Sequence, residues 1–186
     1  SSYGQWAMDG VMQSFIKSIR MPWLTALFRG ITATGETVPV ILATLILMIL
    51  LMIYKKRKEA LIFGFYMLGT WRLNDFLKEH LQRPRPDINL HLVETSGYSL
   101  PSGHSMNFMA LVLLSLYFMW IFSANKKLNR RLSILMLLYG LLVGISRVYL
   151  NVHYFSDVIT GWSIGVACAA AAVILHSFLC KAKTKQ

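Results

Sequence analysis

Acidic residues are scarce in this chain. Eight Asp and Glu stand against nineteen Lys and Arg in 186 residues, a formal net charge of +11. Such an excess often marks a nucleic-acid binder. Here the cations cluster between apolar runs and leave no solvated basic domain to hold a duplex, so no nucleic-acid partner is expected. Cysteine is nearly absent. Cys168 and Cys180 share one apolar segment, and on a continuous helix they stand about 18 Å apart, beyond disulfide reach. No Cys–His cluster at zinc spacing occurs, and no metal site is expected. The first residues lack a basic start followed by an apolar core, so no signal peptide is expected there.

Apolar residues are abundant. They make up 55% of the chain, with a mean hydropathy of +0.51. That is too apolar for an ordinary soluble domain, and several runs are long enough to span a bilayer. Five spans are expected: 38–54, 60–77, one from the Pro101-Ser102-Gly103-His104 turn to about 122, 132–148 and 158–179. Before them, residues 3–20 carry Met8, Val11, Met12, Phe15, Ile16 and Ile19 at helical spacing, with Gln13, Lys17 and Arg20 elsewhere. This reads as an amphipathic interfacial helix anchored by Trp6 and Trp23 and broken at Pro22. A short apolar piece, 23–28, and a turn at 32–36 follow. The expected fold is an all-α integral membrane bundle of five visible transmembrane helices. It forms a single domain over 1–186, with an interfacial segment at 1–30 and the bundle at 38–180.

The basic clusters set the orientation. Residues 55–58, 126–131 and 181–185 are rich in Lys and Arg, and with five alternating spans all three fall on the cytoplasmic side. The loop 78–101 and the break 149–157 then share the opposite face. Three polar groups converge there. One is Lys78 followed after six residues by Arg85-Pro86. The second is Pro101-Ser102-Gly103-His104. The third is Ser146-Arg147, then His153, then Asp157.

In these blocks the chain resembles the type 2 phosphatidic acid phosphatase family, integral membrane phosphatases related to vanadium haloperoxidases. The match covers residues 78–157, and the span pattern extends it over most of the chain. Leu100 stands where the family often has phenylalanine. The family usually has six spans, so an N-terminal span is expected to have been removed. Within the family the sequence is most similar to small bacterial phosphatases acting on phosphatidylglycerol phosphate or undecaprenyl pyrophosphate. The resemblance implies a phosphohistidine formed on His153, supported by Asp157, with His104 as acid and later base. It implies no metal and no cofactor.

The residues support that chemistry on their own terms. Phosphoryl transfer is mostly positioning and charge neutralisation. Lys78, Arg85 and Arg147 supply three cations, the arginines as two-pronged donors. The N–H groups of Ser102, Gly103 and His104 add donors at a helix start. His153 can attack phosphorus through one ring nitrogen if Asp157 holds the other, and His104 can protonate the departing oxygen. Arg85 fits the spacing from Lys78, which leaves Arg83 as a candidate headgroup contact. Glu94 and Tyr98 are candidate lining residues, whereas His80, His91 and His176 carry no partner spacing. The expected partner is a phosphorylated lipid in the bilayer of a bacterial plasma membrane, met from the extracytoplasmic side. A broad phosphatidic acid phosphatase is the alternative enzyme. A channel or transporter, a non-catalytic lipid-binding module and a vanadate-dependent oxidase are the alternatives of other classes. Oligomeric state is left open, although Gly161, Gly165 and the Ala169–Ala172 run permit close helix packing.

Overall fold

Helix α5 (Gly103–Phe122) is apolar on every side, and this places it at the centre. Met106, Ala110, Leu114 and Phe118 are all buried along it. Around it pack α3 (Thr37–Ile53), α4 (Arg57–Leu81), α6 (Lys126–Tyr149) and α7 (Phe155–Lys181). Two shorter helices, α1 (Ala7–Ser18) and α2 (Pro22–Thr34), precede them. This computed structural model describes residues 6–181, with the side chains of Cys180 and Lys181 outside the description. Lys183 and Lys185 of the expected C-terminal basic cluster also lie outside the described residues. Among the described residues every regular element is helical.

Small residues let α7 approach α5 closely. A Cβ added to Gly165 would stand 2.5 Å from the Met106 carbonyl oxygen, and one on Gly161 would stand 2.7 Å from that of Ser102. Ala169 and Ala172 continue the buried side of α7. The small residues expected to allow close packing therefore serve contact within the chain.

By length and composition, α5, α6 and Phe155–Leu179 can each cross a membrane, while α2 and α3 qualify only as a pair bent by 47°. Helix α3 is 17 residues long, short for a span by itself. Helix α4 runs through all of the expected span 60–77, but Arg72, Asn74 and Asp75 make it too polar to qualify by composition.

The helix ends follow local chemistry. Pro22 opens α2 where its missing N–H costs nothing. Ser102 and Asn125 accept N–H bonds at the starts of α5 and α6. Helix α4 stops at Gln82, which has φ 47°, just before Arg83-Pro84, where proline disfavours helical geometry in the preceding residue. One expectation fails here. Residues 32–34 belong to α2, and the chain turns only at Gly35-Glu36.

Helix α1 presents Met8, Val11 and Phe15 outward, as an interfacial helix would, and buries Ile16. It also buries Asp9 completely. Helix α2 docks through Tyr149 of α6, whose hydroxyl accepts from the Met21 N–H at 3.2 Å and whose ring lies 4.4 Å from that of Phe28.

The close α5–α7 approach gives a first prediction. Gly165→Leu should destabilise the protein by about 1–3 kcal/mol through overpacking. Gly30→Ala, in open space, should not lower stability. Thermal unfolding in detergent distinguishes the two, and equal melting temperatures for wild type and Gly165→Leu would refute the tight contact.

Candidate active site

A cavity of about 530 Å³ opens where the ends of α4 and α6 meet the starts of α3 and α5. Lys78, Arg85, Gly103, His104, Arg147 and His153 line it. Six of the eight expected site residues thus share one cavity. Asp157 lies behind His153, and Ser102 lies behind Gly103; both are fully buried.

His153 is presented by a tight reversal after α6. Asn151 adopts φ 59°, and the Arg147 carbonyl accepts the N–H groups of Val152 and His153 at 3.1 and 3.4 Å. The Nδ1 atom faces Asp157 Oδ2 at 3.4 Å, and Nε2 lies 3.2 Å from Arg85 Nη1. One ring nitrogen is therefore held by a carboxylate while the other points at a cation. Burial pushes the His153 pKa down to about 3, with Arg85 and Arg147 adding to the effect and Asp157 opposing it. The imidazole is neutral near pH 7, as a nucleophile requires.

The two arginines are held by hydrogen bonds. Arg85 donates to the carbonyls of Gly97, Val152 and Ser96 at 2.9, 2.7 and 2.8 Å. Gly97, at φ 69°, takes the left-handed turn that glycine adopts without strain. Burial lowers the Arg85 pKa. Arg147 Nη1 donates to Thr32 Oγ1 at 2.8 Å, and its buried Nε has no partner among the described residues. The buried Nε2 of His104 also has no partner among the described residues. Gly35 leaves room for that ring, since a Cβ there would stand 3.1 Å from His104 Cδ2.

Two expectations need correction. The Ser102 N–H does not face the cavity; it donates to the Asp157 carbonyl at 3.1 Å. Ser102 is a helix cap that joins the start of α5 to the first turn of α7, so the cavity donors at this turn reduce to Gly103 and His104. Arg83 is not a headgroup contact. It is 1% exposed and lies between Asp157 and Asp9. Glu94 does line the cavity.

Sequence reasoning missed the supporting residues. Ser99 donates its hydroxyl to Asp157 Oδ2, and the Tyr154 N–H donates to the same oxygen at 2.9 Å. Thr32 accepts from Arg147, and Ser156 and Asp9 accept from Arg83, which in turn holds Asp157. The repeated Arg-Pro at 83–86 drew attention to Arg83, but no local signal pointed at its partners Asp9 and Ser156.

A cationic cavity beside a histidine–carboxylate pair, at one end of an apolar helical bundle, fits a membrane phosphatase. The comparisons agree. The pattern of the PAP2 superfamily matches residues 59–179. Phosphatidylglycerophosphatase B of Bacillus subtilis (strain 168) is 38% identical over 153 residues, covering 80% of this chain and 73% of that protein. An undecaprenyl-diphosphatase of Sulfolobus acidocaldarius is 29% identical over 117 residues, covering 60% of this chain and 46% of the relative. The crystal structure of a transmembrane PAP2-type phosphatidylglycerolphosphate phosphatase from Bacillus subtilis superposes with a TM-score of 0.84 at 30% identity, over 91% of this chain and 84% of the other. That of Aquifex aeolicus LpxE superposes with a TM-score of 0.73 at 24% identity, over 90% and 96%, and shows the shared fold. The chain belongs to the PAP2 superfamily, and it is a hydrolase of phosphate esters.

The buried, neutral His153 sets a pH dependence. Its folded pKa lies below its unfolded value of about 6.5, so the unfolded chain takes up a proton that the folded site refuses. The contribution of His153 to stability is constant above about pH 6.5 and becomes increasingly unfavourable as pH drops from there towards about 3. Melting temperatures in detergent at pH 7.5 and 4.5 should differ less for His153→Gln than for wild type. Equal differences would contradict the assignment.

Proposed function

We propose that this protein removes phosphate from phosphatidylglycerol phosphate, undecaprenyl pyrophosphate or both, through a phosphohistidine on His153 at the extracytoplasmic face. The observation that carries the reading is the two-sided environment of His153, with Nδ1 on Asp157 and Nε2 beside Arg85. Nε2 attacks phosphorus, and the bond from phosphorus to the lipid oxygen breaks as an N–P bond forms. Asp157 stabilises the positive charge that develops on the ring. His104 gives its proton to the departing oxygen. It then takes one from a water that attacks phosphorus, the N–P bond breaks and inorganic phosphate leaves. Lys78, Arg85 and Arg147, with the N–H groups of Gly103 and His104, neutralise the phosphoryl oxygens.

A lipid substrate is supported by a second cavity of about 220 Å³ between α3 and α4. It is lined by Ile41, Leu45, Met48, Met67 and Leu68 and shares Val40, Trp71 and Asn107 with the polar one. The apolar cavity can take the first carbons of an acyl or prenyl tail while the phosphate meets the cations. The names of the Bacillus and Sulfolobus relatives support the two substrates. Orientation rests on the basic links 55–58 and 126–131, at the opposite helix ends from the cavity.

Phosphate release from the purified protein tests this. His153→Ala and His104→Ala should each lower kcat by about 10³-fold or more. Labelled phosphate on the enzyme should be acid-labile and alkali-stable, and chelators should leave the rate unchanged. Strong turnover by His153→Ala would sink the mechanism. Comparing kcat/KM for phosphatidylglycerol phosphate, undecaprenyl pyrophosphate and phosphatidic acid identifies the substrate; a preference for phosphatidic acid would overturn the proposed choice.

A further inference from the structure

Arg83 and Arg85 are separated by one proline, yet they serve different purposes. Arg85 lines the cavity and Arg83 does not. The Arg83 Nη1 lies 2.5 Å from Asp157 Oδ1 and 2.7 Å from Ser156 Oγ, and its Nη2 lies 2.8 Å from Asp9 Oδ2. Asp9 in turn accepts the Ser156 N–H at 2.9 Å and the Ser156 hydroxyl at 2.7 Å. The guanidinium also lies 4.2 Å from the centre of the Tyr154 ring. Arg83, Asp9, Ser156 and Asp157 are all nearly or fully buried.

We propose that Arg83 is a positioning residue for the His153–Asp157 pair, and that Asp9 makes helix α1 part of the same arrangement. The inference rests on the reading of His153 as nucleophile. Arg83 anchors one oxygen of Asp157, which leaves the other, Oδ2, turned towards His153 Nδ1. A fork held on two sides by carboxylates has little freedom to rotate. Asp9 also offsets the charge of Arg83, so that Arg83 can fix Asp157 without by itself cancelling the negative charge that faces His153. Without Asp9 the cation faces Asp157 alone, and this balance is lost. Asp9 is also the one acidic residue of α1 and is completely buried. The first helix therefore docks on the bundle through the group that orients the nucleophile's partner.

The test compares Arg83→Gln, Arg83→Lys, Asp9→Asn and His153→Ala in the full chain with one lipid phosphate. The readouts are kcat, KM and the inhibition constant of inorganic phosphate. Arg83→Gln should lower kcat about 100-fold while KM and the phosphate constant stay within about twofold, and Arg83→Lys should restore about tenfold of the loss. Asp9→Asn should lower kcat about three- to tenfold with the same constancy. A phosphate constant that rises in step with the loss of kcat would make Arg83 a phosphate ligand and overturn the proposal. If Arg83→Gln does not fold, Asp9→Asn decides, and wild-type kcat in that variant overturns the proposal. His153→Ala inactive beside a fully active Arg83→Gln overturns this inference alone. An active His153→Ala overturns the nucleophile assignment and this inference with it.

Discussion

Asp157 is a carboxylate with no exposure to solvent, in a protein built mostly of apolar helices. An ion in such surroundings carries a desolvation cost of several kcal/mol unless its lone pairs are fully engaged. Much of the site can be read as the solution to that constraint. Oδ1 meets Arg83, and Oδ2 meets Ser99, the Tyr154 N–H and His153. The backbone carbonyl of the same residue accepts from Ser102. Residues far apart in the chain are thereby tied to one side chain.

The second constraint is steric. The start of α5 and the first turns of α7 must lie close enough for the Ser102–Asp157 bond to form. Only glycine at 161 and 165 leaves room for this. Helix α5 carries His104 and α7 carries Asp157, so the spacing between two helix axes sets the spacing between these two side chains. Helices α2 and α6 complete the arrangement, since Thr32 fixes the fork of Arg147 and Gly35 leaves space for the His104 ring.

Much of this was legible from sequence because the information is local. Apolar runs mark the long helices, and the spacings within each motif bring Lys78, Arg85, Gly103, His104, Arg147 and His153 to one end of the bundle. The pairing of Asp157 with His153 was legible too, since Asp157 lies four positions further along the chain. What failed depended on contacts between distant segments. Asp9 and Arg83 are 74 residues apart, and nothing in either neighbourhood announces the other. Ser102 was assigned by its helix-start position to the anion, but a carbonyl from α7 takes its N–H. Residues 32–34 suggested a turn by composition, yet Thr32 is a buried helical residue whose hydroxyl serves Arg147.

Arg85 is solvated by the protein itself. Its guanidinium already has three carbonyl partners, from Ser96, Gly97 and Val152. Those bonds use three of its five N–H groups, fix the plane of the fork and leave the others turned towards the cavity. The cation is thereby set in place by the backbone, and no reorganisation of its side chain is needed to present its remaining donors.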